Sequence, residues 1–311
     1  MLTDDERDVL ARTRARALEE MVWTPADVPL IDEARALLGP LRVRRARGED
    51  DDQPRGYGHI VVDEAQDLSP MALRMLGRRS ISGSMTLVGD IGQATTAWTP
   101  AGWGDVLRHL PTRRPPRVAS LTVNYRTPAE IMEAAAEVLA AATADAVAPP
   151  RSVRATGRVP VARPVSQEAF ADEVAAAAAE LAEGEGTVAV IAATADIPAL
   201  AAALDAADLE WGEPERSGLS APITLLDVPA VKGLEFDAVV VAEPANIVGE
   251  PGGSLRALFV ALTRPTRELV AVHARPLPDS LVRGLQRARS RPAEVLEPLP
   301  DVADGDAGLA V

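Results

Sequence analysis

Between His59 and His273, short, mostly apolar runs alternate with segments of helical periodicity, and this alternation points to layered α/β folds. His59-Ile60-Val61-Val62, Met85-Thr86-Leu87-Val88, Leu121-Thr122-Val123 and residues 187–192, 223–226, 238–241 and 269–273 read as strands. Among them, Ser69-Pro70 opens a helix reaching Gly77, and Thr127-Pro128-Ala129-Glu130 opens another. The Ala-rich stretch 171–182 and residues 254–263 complete the helical set. Such alternation argues for α/β layers with a mostly parallel sheet. No internal repeat is evident.

The flanks are less regular. Thr3-Asp4-Asp5-Glu6 has capping-box spacing, and Val9, Leu10, Ala17, Leu18 and Met21 follow at helical intervals, predicting a first helix. Pro25 and Ala26 lead into a second over 28–38, stopped by Gly39-Pro40. Residues 42–56 mix arginines with Glu49, Asp50, Asp51 and Asp52 and read as a solvated loop. Pro111, Arg113, Arg114, Pro115 and Pro116 mark a domain boundary that no helix or central strand would accept. Expected domains are 1–118 and 119–277, with a C-terminal helix and a disordered tail over 278–311.

A length of 311 residues and 47% hydrophobic content suffice for two domain cores. No uncharged apolar run approaches the roughly 18 residues of a membrane span, and Asp4, Asp5, Glu6 and Arg7 stand where a secretory signal would begin, so a cytoplasmic location without membrane association is expected. With no cysteine and only His59, His109 and His273, disulfides and thiolate metal sites are excluded and a histidine metal centre is disfavoured. The net charge of -14 argues against a protein that coats nucleic acid, while leaving room for a local basic channel. Lys232 is the only lysine, and the arginine excess reads as coding bias of a GC-rich genome. A phosphate-binding loop G-x-x-x-x-G-K-[ST] needs Ser or Thr after its lysine; Lys232 is followed by Gly233-Leu234, so the sequence contains no such loop.

Five segments carry potential chemistry. Asp63-Glu64-Ala65-Gln66-Asp67 follows a strand, where one carboxylate could hold Mg²⁺ and its neighbour could activate water; a solvated acidic turn has the same appearance. Gly89-Asp90-Ile91-Gly92-Gln93 also leaves a strand, and a glutamine there can sense a γ-phosphate. Asn124-Tyr125-Arg126 offers an aromatic face and a guanidinium, although a lone tyrosine is equally compatible with ordinary core. Lys232-Gly233-Leu234-Glu235-Phe236 is the fourth, and Val260-Ala261-Leu262-Thr263-Arg264 ends in an arginine that could act as a finger.

In this order the segments resemble motifs II, III, IV, V and VI of superfamily 1 helicases of the UvrD/Rep type, over residues 57–275. Within that superfamily the chain is most similar to HelD-like proteins associated with bacterial RNA polymerase, through Ala26-Asp27-Val28-Pro29-Leu30-Ile31-Asp32-Glu33 and Ser69-Pro70-Met71. The resemblance implies RecA-like, P-loop NTPase-type parallel sheets, with an incomplete first motor domain and a more complete second one. It implies Mg²⁺ coordination by Asp63, water activation by Glu64, γ-phosphate sensing by Gln93, and phosphate contacts by Arg126 and Arg264. It further implies adenine stacking by Tyr125 and nucleotide contacts by Gly233 and Glu235. Trp98 stands where relatives place an aromatic that stacks on a single-stranded base; a surface tryptophan packed on Trp103 is the alternative. ATP and Mg²⁺ are the implied cofactors. Single-stranded DNA, RNA polymerase and an N-terminal motor fragment bearing the Walker A loop are the implied partners. Asp227 and Pro229 replace the Thr and His of many relatives, Thr99 replaces an Arg, and Pro265 replaces an Ala. The family's first motor strand and phosphate loop would precede residue 1. Two functions follow as expectations: a helicase or translocase part that is inactive without the loop, or a catalytically silent module that binds a partner or nucleic acid.

Overall fold

The computed structural model describes residues 3, 4, 7, 11, 16–39, 55–96, 98–111, 114–143, 149–184, 186–213 and 220–290. Parts of the expected first helix, most of the 42–56 loop and the tail after Ser290 lie outside these residues, and the described end of that helix forms only a 3-10 turn at Leu18–Glu20 instead of the expected α-helix. The chain forms two compact units: residues 1–60, 68–86 and 109–111, and residues 61–67, 87–108 and 112–311.

In the first unit, helix α1 (Asp27–Leu38) ends at Gly39, whose φ of 75° supplies the left-handed stop that the sequence predicts. Helix α2 (Pro70–Arg79) begins as expected: the Ser69 hydroxyl accepts from Ala72 N at 3.2 Å, and Pro70 occupies the first turn. The two helices are joined by charge. Asp32, 9% exposed, bonds the guanidinium groups of both Arg78 and Arg79, and Glu33 pairs with Arg74 and Arg78.

β1 (Ile60–Val62) and β2 (Met85–Leu87) form a two-stranded sheet. In the second unit, helix α3 spans Trp103–Leu107. A further parallel ribbon pairs β3 (Val123–Asn124) with β4 (Arg151–Ser152). The strand expected over 121–123 therefore starts later than predicted. Leu121 is 90% exposed, because pairing begins only where Thr122 O accepts from Arg151 N.

Helix α4 (Ala129–Ala142) precedes β5 (Val161–Pro164) and α5 (Phe170–Ala182). β6 (Val188–Ala192), α6 (Ile197–Ala206), β7 (Trp211–Gly212) and β8 (Ile223–Asp227) follow. The chain continues through α7 (Val228–Val231), β9 (Phe236–Ala242), α8 (Pro244–Gly249), α9 (Leu255–Leu262), β10 (Pro265–His273) and α10 (Asp279–Ser290). Six of these strands form one all-parallel sheet in the order β5-β10-β9-β6-β8-β7. The expected α/β class is thus observed.

Both faces of this sheet are covered, and the period-2 alternation of strand side chains sorts residues between them. Ala189, Ile191, Val239 and Val241 pack with α4, α9 and α10, whereas Val188, Val190, Val240 and Ala242 pack with α5 and α6. This two-sided burial explains why β6 and β9 read as continuous apolar runs. β5 is missing from the sequence reading. Its flanking Pro160 and terminal Pro164 argue against a central strand, and the structure makes it an edge strand, where proline is tolerated.

A Cβ added to Gly284 on α10 would lie 2.1 Å from Ala134 O on α4, so Gly284→Ala should cost about 1–3 kcal/mol in urea unfolding. Asp32 is subject first to burial, which raises its pKa, but the hydrogen bonds and charges of Arg79 and Arg78 together hold it below its ordinary value. A depressed folded-state pKa contributes stability that is present above the unfolded value of about 3.9 and lost as pH falls through the folded pKa. Asp32→Asn should therefore flatten the decline of the unfolding midpoint between about pH 5 and the acid limit, measured by circular dichroism.

Candidate functional site

All five candidate segments belong to the second unit. Asp63 and Glu64 leave the carboxyl end of β1, and Asp90 lies beyond β2, whereas Glu235 and Arg264 immediately precede β9 and β10. The site therefore joins carboxyl ends of the small sheet to amino ends of two central strands of the large one.

Asp63 and Glu64 are exposed, and Glu64 has a φ of 49°, a left-handed conformation unusual for a side chain with a Cβ. Asp63 Oδ1 accepts from Glu64 N at 2.9 Å. Gln66 is only 1% exposed; its Nε2 donates to Glu64 Oε2 at 2.6 Å, and its Oε1 accepts from Asp90 N at 3.1 Å. Asp90 then orders the next turn, accepting from Gly92 N at 2.8 Å through Oδ1 and from Gln93 Nε2 at 2.9 Å through Oδ2. The other end of the Gln93 amide, Oε1, accepts from Arg264 Nη2 at 2.8 Å.

Arg264 is 8% exposed and also donates to Val260 O at 3.0 Å, Leu234 O at 3.4 Å and Thr263 Oγ1 at 3.3 Å. Burial lowers its pKa; Glu235 opposes that shift, Arg126 adds to it, and Glu64 and Asp90 oppose it. The guanidinium nevertheless stays charged, because its ordinary pKa lies far above neutrality. It thus links α9, the segment before β9 and the loop after β2.

Two ion pairs complete the site. Lys232 Nζ lies 2.7 Å from Asp67 Oδ2, with the side chains 22% and 18% exposed, and Thr95 N donates to Asp67 Oδ1 at 3.4 Å. Arg126 pairs with Glu235, and Asn124 Oδ1 shapes the turn by accepting from Arg126 N at 2.9 Å and Thr127 N at 3.1 Å. Gly233, φ 73°, provides the left-handed bend between Lys232 and Glu235. Tyr125 is 70% exposed and Trp98 is 44% exposed.

The structure brings Glu64, Gln93 and Arg264 into one hydrogen-bonded path and Arg126 onto Glu235. Tyr125 and Trp98 are not in that path. Sequence reading did not single out Gln66 as a bridging residue, nor Asp67 as the partner of Lys232. An amide amid the acidic residues of D-E-A-Q-D, with a glycine before Asp90, was the available signal for Gln66. Among the described residues no group of three or more His, Cys, Asp or Glu forms a metal site. Mg²⁺ carried on phosphates needs only one or two protein carboxylates, however, and Asp63 retains one oxygen beyond its bond to Glu64 N.

No protein-family model and no curated protein matches the chain. Among solved structures it is similar to the C-terminal domain of a possible DNA helicase from Lactobacillus plantarum WCFS1, at 26% identity, covering 51% of this chain and 93% of that one, with a TM-score of 0.40. It is also similar to arterivirus nonstructural protein 10, a helicase in complex with DNA, at 17% identity, 71% and 41% coverage and a TM-score of 0.38. The PRRSV helicase gives 16% identity, 77% and 43% coverage and a TM-score of 0.39. The chain spans less than half the length of either viral helicase. Among the described residues, no helix is long and apolar enough to cross a membrane.

Removing one member of a partly buried ion pair strands the other charge. Lys232→Met should lower stability by about 1–3 kcal/mol, and combining it with Asp67→Asn should cost less than the sum of the single changes, as read from urea unfolding.

Proposed function

We propose that this chain is part of a nucleotide-driven motor acting on nucleic acid, of the superfamily 1 UvrD-like type with HelD-like features. The observation that supports this reading is the path Glu64–Gln66–Asp90–Gln93–Arg264, which connects an exposed glutamate, two glutamines and a buried arginine by hydrogen bonds. In such a motor, Glu64 would orient the attacking water, Gln93 would register the γ-phosphate, and Arg264 and Arg126 would meet the charge on the transferred phosphoryl group. Tyr125 would stack on adenine, and Gly233 and Glu235 would shape the nucleotide edge of the site. Bound Mg²⁺ would neutralise phosphate charge, with Asp63 holding it on the protein side. Single-stranded DNA is the proposed track, with Trp98 as a stacking platform, and RNA polymerase is the proposed target of remodelling. A cytoplasmic setting accords with this role.

One further feature favours silence of the chain by itself. Lys232, Arg126 and Arg264 are engaged by Asp67, Glu235 and Gln93, and no phosphate-binding loop is present to counter repulsion between ATP and the acidic pair. The domains proposed are a remnant of a first motor domain over 1–118 and a second motor domain over 119–277.

The isolated chain should show negligible ATP hydrolysis in a phosphate-release assay; turnover abolished by Glu64→Gln would overturn that expectation. Joined to a helicase segment bearing the phosphate loop, it should hydrolyse ATP, and Arg264→Ala should lower turnover on the order of a thousandfold. A loss below about tenfold removes the finger role. Trp98→Ala should weaken single-stranded DNA binding by about 1–3 kcal/mol, read by fluorescence anisotropy. Unchanged affinity removes the stacking role.

A further inference from the structure

The geometry points to Gln66 as a positioning residue that fixes the Glu64 carboxylate and ties it to the loop carrying Asp90 and Gln93. This inference rests on the motor reading and adds to it a residue that the motif comparison left without a role.

Three observations converge. First, Gln66 is 1% exposed, so its amide lacks water to satisfy it and depends on fixed partners. Second, the partners are divided: the donor end meets Glu64 Oε2 at 2.6 Å and the acceptor end meets Asp90 N at 3.1 Å. An amide is suited to this bridge because it donates and accepts at opposite ends of one planar group, whereas a carboxylate only accepts. Third, a Cβ at residue 89 would stand 2.1 Å from Gln66 Oε1 and 3.2 Å from Ala65 N, so glycine leaves room for the bridge.

Glu64 needs such a restraint. It is exposed, and its backbone is held at a φ of 49°. A free glutamate side chain would sample many rotamers, and orientation of a general base is a large part of its effect. Gln66 selects one position for Oε2 and leaves Oε1 for the attacking water. The same amide reads the loop that ends at Gln93. A shift of that loop on meeting a phosphate would move Asp90 N and, through Gln66, the base. Gln66 touches neither nucleotide nor water in this scheme; it acts through Glu64.

The test has two arms. In the isolated chain, the Gln66 side-chain amide protons should exchange at least tenfold more slowly than those of exposed Gln286 by NMR, and Glu64→Ala should abolish that protection while leaving the fold intact. Fast exchange in the unaltered chain overturns the inference. In the chain joined to a phosphate-loop segment, Gln66→Met keeps volume and removes both hydrogen bonds. It should lower kcat at least tenfold with KM for ATP within twofold, and should cause no further loss in a Glu64→Gln background. A merely structural role would instead lower activity additively in that background, and such additivity overturns the inference. Gln66→Glu, which keeps an acceptor for Asp90 N but removes the donor to Glu64, should be as impaired as Gln66→Met; full activity in either well-folded variant also overturns it. Absence of hydrolysis in the unaltered joined protein overturns the motor reading and the kinetic role with it, whereas hydrolysis unaffected by Gln66→Met overturns the role of Gln66 alone.

Discussion

The buried guanidinium of Arg264 is the interaction on which the site depends. A charge at 8% exposure would be costly unless every direction it points finds an acceptor, and here Val260 O, Leu234 O, Thr263 Oγ1 and Gln93 Oε1 supply them. Two of these acceptors come from the end of α9, one precedes β9 and one lies on the loop after β2. Satisfying a single cation thus requires three separated stretches of chain to meet. The remaining bonds then extend outward, from Gln93 to Asp90, from Asp90 to Gln66 and from Gln66 to Glu64.

That network stands on a rigid platform. The all-parallel sheet is apolar on both faces, and its central strands β9 and β6 are fully enclosed by helices. Close packing holds the amino ends of β9 and β10, and hence Glu235 and Arg264, in fixed positions. The chemistry-bearing residues sit at strand ends and on the turns next to them, where Asn124, Asp90 and Gly233 shape the backbone by side-chain hydrogen bonding or a left-handed bend. Strain appears in the same neighbourhood, at Glu64, where the carboxylate proposed as the base leaves the ordinary backbone regions.

The charges of the site are paired within the chain. Lys232, the chain's only lysine, is bonded to Asp67, and Arg126 is bonded to Glu235. The Lys232–Asp67 bond makes the lysine a clasp between the end of the D-E-A-Q-D turn and the segment before β9. The segments that resemble motifs II and V are therefore joined directly in the second unit.

Local pattern determined the α/β class, the strands at 188–192, 223–227 and 236–242, the capped starts of α2 and α9, and the stop at Gly39. Each follows from short-range rules: apolar runs, serine caps, and a glycine able to turn left-handed. The sequence also gathered the candidate residues into motifs, since residue types at strand termini are visible without a fold. Tertiary structure alone decided which of them meet. Gln93 and Arg264 are 171 positions apart, and Lys232 and Asp67 are 165 apart, so no local spacing could pair them. It also decided that Pro164 belongs to an edge strand, that Leu121 stays exposed, and that Gln66, unmarked in sequence, becomes a bridge once burial removes its access to water.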